Sequence, residues 1–151
     1  MERHAQKLKV YVFEPDVPRH QGLREAFTTV GYEVRIAGGI LTALKGIVAW
    51  ALDTEDPGPD VVLAEYFSTS PDEHTSGSWL QHELDRLSFT RKIPVVFTCD
   101  PGSRTTTYMA MRFRELHGAI GFIPKSTAPR DVVAMVSGLM WVAREESPAT
   151  S

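Results

Sequence analysis

The sequence predicts a doubly wound parallel α/β sheet of five strands with helices on both faces. Short β-branched and aromatic runs alternate with stretches of helical periodicity in five strand and helix pairs. Strict alternation of this kind needs crossover connections, and right-handed crossovers place helices on each side of a parallel sheet. Polar and charged residues collect just after the strands, where such sheets carry their functional sites.

Residues 8–13 form the first apolar run, followed by Glu14-Pro15-Asp16. A helical pattern over 18–30 then carries Leu23, Ala26, Phe27 and Val30 on one face, and Gly31 ends it. Residues 32–37 read as a second strand. Residues 40–52 follow as a helix with Leu41, Leu44, Ile47, Val48 and Ala51 at helical spacing. A turn over 53–59 leads to a buried-looking strand at 60–64 that ends against Glu65. A polar loop, 67–76, precedes a helix over 78–87 with Trp79, Leu80, Leu84 and Leu87. A fourth strand over 94–98, a fourth helix over 104–117, a fifth strand over 119–123 and a closing helix over 130–144 complete the order. Val133, Val136, Met140 and Trp141 are among the apolar residues of that last helix.

Composition bounds the function. The 151 residues, 42% hydrophobic and 23% charged, suit one domain able to bury a core without disulfides or a structural metal. We place it at 1–146, with 147–151 as a small, polar linker or tail. Sixteen basic against nineteen acidic residues give a charge of −3, with no general attraction to nucleic acid or anionic membrane. DNA contact would need an additional domain. The single cysteine, Cys99, excludes an internal disulfide and a thiolate metal cluster. With neither a secretory leader nor an apolar stretch long enough to span a bilayer, a cytoplasmic location is expected.

Glu14 and Asp16 follow the first strand, Glu65 the third, Thr98 closes the fourth and Lys125 follows the fifth. Carboxylates, a hydroxyl and an ammonium are the groups that hold a phosphoryl oxygen or a hard divalent cation. On residue chemistry alone, two readings stand: a phosphate or metal pocket, or polar strand ends solvated separately. In the second, Lys125 pairs with Glu65 and Thr98 caps a turn.

The order of these residues resembles the receiver domain of two-component response regulators, over most of the chain from Leu8 to about Val142. Phe13-Glu14-Pro15-Asp16 is similar to the acidic pair after the first strand, and 59–65 to the phosphoacceptor strand. Thr98 matches the switch hydroxyl, Phe122 the switch aromatic, and Gly121-Phe122-Ile123-Pro124-Lys125 the segment ending in the family's lysine. The resemblance implies a flavodoxin-like receiver architecture with Glu14, Asp16, Glu65, Thr98 and Lys125 in one pocket.

The departures bear on mechanism. Glu65 stands where the family has its phosphate-accepting aspartate, and its carboxylate reaches roughly 1.5 Å farther from the backbone. Phosphoryl transfer depends on positioning, so this displacement spoils it. Pro15 occupies half of the acidic pair that holds Mg²⁺ in active receivers and offers no ligand. We therefore expect a degenerate pocket with no metal, cofactor or catalytic residue. Glu65 acts either as a fixed partial mimic of phosphorylation or as a relic. Ser126 replaces the proline that commonly follows the lysine, which argues against a cis peptide there.

Receivers commonly dimerise through the fourth helix, fifth strand and fifth helix. The resemblance thus points to Tyr108, Met111, Arg112, Met135, Leu139 and Val142 as a partner or homodimer face. His4, His20, His74, His82 and His117 have no metal-ligand spacing. The expected function is an atypical receiver acting by protein contact, as the N-terminal regulatory and dimerisation domain of a transcriptional regulator. Alternatives are a stand-alone adaptor for a signalling protein, a receiver that phosphorylates itself through Glu65, and a pocket for a small molecule.

Overall fold

The computed structural model describes residues 7–66, 77–87, 92–99 and 119–146. Its five strands are β1 (Lys9–Phe13), β2 (Glu33–Ala37), β3 (Val61–Glu65), β4 (Val95–Cys99) and β5 (Ala119–Pro124), all parallel in the order β2-β1-β3-β4-β5. Helices α1 (Pro18–Thr29), α2 (Ile40–Ala51), α3 (Gly77–Arg86) and a closing helix (Pro129–Glu146) accompany them. This is the doubly wound, flavodoxin-like arrangement expected from the alternation. The loop at 67–76, the predicted helix at 104–117 and the tail at 147–151 lie outside the described residues.

Period-two alternation sorts the strand side chains into two cores. Tyr11, Phe13, Val62, Ala64, Val95 and Phe97 face α2 and α3, which contribute Ala43, Ile47, Trp50, Leu80 and Leu84. Val10, Val12, Val61, Leu63, Val96 and Ile123 face α1 and the closing helix, which supply Leu23, Phe27, Val132, Val133, Val136 and Met140. Central β3 is buried along its whole length, while edge strand β2 alternates between exposed and covered. Every strand carboxyl end thus points to one edge of the sheet. That edge holds the polar residues.

Several predicted helix faces shift in phase. Val30 belongs to the cap of α1 and is exposed, because the helix ends at Thr29 and Gly31 turns the chain at φ 85°. In α2 the buried stripe is Ile40, Ala43, Ile47 and Trp50, and Leu41 is 61% exposed. Trp50 sets that phase: it packs edge-on to Tyr11 at 6.4 Å between centroids, with the Arg35 guanidinium 4.0 Å from its ring. Burying this large ring against β1 outweighs burying Leu41. Leu87 falls beyond α3 and is exposed. On the closing helix Val132 takes an inward position and Trp141 is exposed, since 132, 136 and 140 follow one helical stripe and 141 lies off it. No helix among the described residues is long and apolar enough to cross a membrane.

Candidate functional site

Glu14 sits one residue past β1, and its surroundings follow from the prolines beside it. Pro15 holds Glu14 extended, so the backbone N–H of Glu14 continues the ladder to the Ala37 carbonyl at 3.0 Å. Pro18 then opens α1 at its first helical position, where a missing N–H costs nothing. This sharp strand-to-helix connection brings the first turn of α1 back over Glu14. Arg19 Nε donates to Glu14 Oε1 at 3.1 Å, and the Asp16 N–H donates to Oε2 at 3.0 Å. His20 Nε2 lies 2.6 Å from the Glu14 carbonyl oxygen, which can only accept, so this ring nitrogen carries the proton. Glu14 is 2% exposed, with both carboxylate oxygens engaged.

Glu65 is the last residue of β3 and pairs in register with Thr98 of β4. Both are buried. The Tyr66 N–H extends the ladder to the Thr98 carbonyl at 2.8 Å, and the Gly77 N–H donates to the Tyr66 carbonyl at 2.9 Å. The start of α3 thereby lies directly on the site's backbone. A Cβ at position 77 would stand 2.3 Å from the Glu65 carbonyl oxygen, so only glycine permits this approach.

Lys125 follows β5 in a turn closed by the Thr127 N–H on the Pro124 carbonyl at 3.0 Å. Its ammonium donates to Glu65 Oε1 and lies 3.5 Å from Glu14 Oε2. Four of the sequence-selected residues, Glu14, Glu65, Thr98 and Lys125, therefore meet at one edge of the sheet. Asp16 joins through its backbone N–H, its side chain being exposed. Phe122 is half-buried beside this edge, in register with Phe97 and packed against the α2 and α3 core. The bond from Lys125 to Ser126 is trans; the cis bond among the described residues is Gly58–Pro59.

Sequence reasoning missed Arg19 and His20. A signal was present: the first turn of α1 has no acidic residue and carries Arg19, against the helix dipole, which disfavours a cation there by about 0.3–1 kcal/mol. Such a placement calls for a nearby anion, and Glu14 is that anion.

The arrangement does not fit the Mg²⁺ of active receivers. That ion demands near-octahedral oxygen ligation at about 2.0–2.1 Å. Here Pro15, at a position that the resemblance assigns to the acidic pair, offers no side-chain ligand, and Glu14 spends its oxygens on a guanidinium, an amide and a lysine. Among the described residues there is no group of three or more His, Cys, Asp or Glu side chains placed to hold a metal.

On the expected partner face, Met135 and Val142 are exposed, and Trp141 lies beside them on the closing helix. Leu139 is half-buried over Gly121 of β5, where it serves packing. Tyr108, Met111 and Arg112 lie outside the described residues.

No protein-family model matches the chain, and no curated protein sequence does. Solved structures do. A CheY-like receiver domain protein from Methanospirillum hungatei JF-1 superposes with a TM-score of 0.67 at 18% identity, covering 93% of this chain and 99% of its own. A response regulator receiver domain protein from Clostridium thermocellum gives 0.68 at 16% identity, over 92% and 98% of the two chains. NtrX from Brucella abortus gives 0.71 at 20% identity, over 93% of this chain but 28% of that longer one. The fold of this chain is that of the receiver domains of response regulators.

Proposed function

We propose that this chain is an atypical receiver that regulates through protein contact without conventional aspartyl phosphorylation, and that it catalyses no reaction. The observation that carries this reading is the Lys125–Glu65 ion pair. The lysine that would meet an incoming phosphoryl group is already engaged by a carboxylate at the acceptor position. A phosphoryl group carries about −1.5 to −2 charges and three acceptor oxygens. Glu65 brings one charge and two oxygens, so it reproduces part of that demand permanently. The pocket then acts as a fixed part of the scaffold, and the regulatory information lies in what the domain binds.

Regulation by contact needs a surface. Met135 and Val142, two turns apart on one face of the closing helix, with Trp141 on its flank, leave exposed apolar side chains that suit a second copy of the chain or a signalling protein. The match to 28% of the longer NtrX chain favours a domain within a larger protein; in our proposal that protein is a cytoplasmic transcriptional regulator, this chain is its regulatory and dimerisation domain, and an attached domain reads DNA. A stand-alone adaptor is the alternative. Light scattering is expected to report a dimer at high concentration, and a strict monomer contradicts that part of the proposal.

Acetyl phosphate with Mg²⁺, followed by intact-mass measurement, tests the central reading. The expected spectrum holds unmodified protein alone. A species carrying one added phosphoryl group, removed by substitution at Glu65, would overturn it.

A further inference from the structure

Glu14 and Glu65 are both buried, and one lysine reaches both. Two buried carboxylates facing a common cation need a second positive charge close by, because an uncompensated buried charge is strongly destabilising. Active receivers meet this need with a divalent ion. Here the geometry supplies another cation from the chain itself. Arg19 projects from the first turn of α1, its side chain 21% exposed, and places Nε on Glu14 Oε1, while Lys125 lies 3.5 Å from Oε2.

We infer that Arg19 is the built-in second cation of this pocket, replacing a divalent metal ion in charge, and that it closes the carboxylate pair to divalent cations. The inference rests on reading the pocket as phosphorylation-independent, and it adds the residue responsible and the ligand class excluded. Among the described residues, Arg19 and Lys125 balance the charge of the two buried carboxylates, which weakens their pull on a metal ion. It would also have to displace a guanidinium from Glu14 Oε1 while the Asp16 N–H holds Oε2. Arg19 is thus a positioning residue that sets the electrostatics of the pocket.

The test uses Mn²⁺ alone as the probe, read as paramagnetic broadening of amide signals in the labelled protein. Arg19→Ala removes the cation, and Arg19→Gln removes the charge while keeping a side-chain hydrogen-bond donor. Arg24→Ala removes the same charge from an exposed position on the same helix. Retained amide dispersion verifies that each variant is folded. Both Arg19 variants are expected to show saturable broadening centred on Glu14 and Glu65, with an apparent affinity about tenfold or more above that of the unaltered protein. Arg24→Ala is expected to follow the unaltered protein. Equal Mn²⁺ binding with and without Arg19, or an equal gain from Arg24→Ala, overturns the inference. Neither result bears on phosphoryl uptake by the unaltered protein, so this inference and the proposed function can fail separately.

Discussion

Lys125 is shared between Glu65 and Glu14: its ammonium donates to Glu65 Oε1 and lies 3.5 Å from Glu14 Oε2, tying the ends of β1, β3 and β5 together. Lys125 thus links the connections after β1, β3 and β5, across the intervening β4, and shares the compensation of Glu14 with Arg19.

Replacing Lys125 with methionine keeps much of the side-chain volume and removes the charge. Two carboxylates, each no more than 5% exposed, then face each other, with Arg19 the remaining cation on Glu14 among the described residues. Removing one partner of a buried ion pair costs about 3–5 kcal/mol, and we expect the lower end because Lys125 is itself 19% exposed. Urea denaturation measures the loss. Adding Glu65→Gln to Lys125→Met should recover more than half of it, since the second substitution removes the orphaned charge.

Burial pushes the Tyr11 hydroxyl above its ordinary value of 10.0, with the nearby Arg35 guanidinium pulling partly the other way. In the unfolded chain this hydroxyl ionises around pH 10, while in the folded protein it keeps its proton to higher pH. Over that window the folded state binds more protons, so stability is fully present below pH 10 and falls as pH rises toward the folded value. Tyr11→Phe removes this contribution. Its stability, followed by denaturant titration across the alkaline range, should fall less steeply than that of the unaltered protein.

Alanine normally stabilises an exposed helix by about 0.5–1 kcal/mol over glycine. Gly46→Ala in α2 should do the reverse. A Cβ there would lie 2.2 Å from the Tyr11 hydroxyl oxygen and 2.7 Å from the ring carbon that bears it. Both belong to a rigid buried ring, and overpacking of this kind costs about 1–3 kcal/mol. A lowered melting temperature for Gly46→Ala, only partly restored by adding Tyr11→Phe because the ring carbons at 2.7 and 2.8 Å remain, is the expected pattern.

The fold was legible because its signal is repeated. Each strand carries its own apolar run, and β3 is buried from Val61 to Glu65, so small errors at the ends left the order intact. Helix faces were less legible, as α2 illustrates. Leu41 and Trp50 both fit a helical stripe in the sequence, but only tertiary packing between Trp50, Tyr11 and Arg35 decides which one turns inward. At the site, strand ends pointed to Glu14, Glu65, Thr98 and Lys125 because parallel strands deliver their last residues to one edge. Arg19 escaped notice since its role comes from the turn at Pro15 and Pro18, which folds α1 back over Glu14.

The most direct test of the central claim is an amide NMR titration of the labelled protein with Mg²⁺ and then beryllofluoride, a stand-in for the phosphoryl group. The account predicts no saturable shifts at Glu14, Glu65, Thr98 or Lys125 at millimolar Mg²⁺, and none on adding beryllofluoride. Saturable shifts at those residues that spread to Phe122 would show a working phosphorylation switch and contradict it.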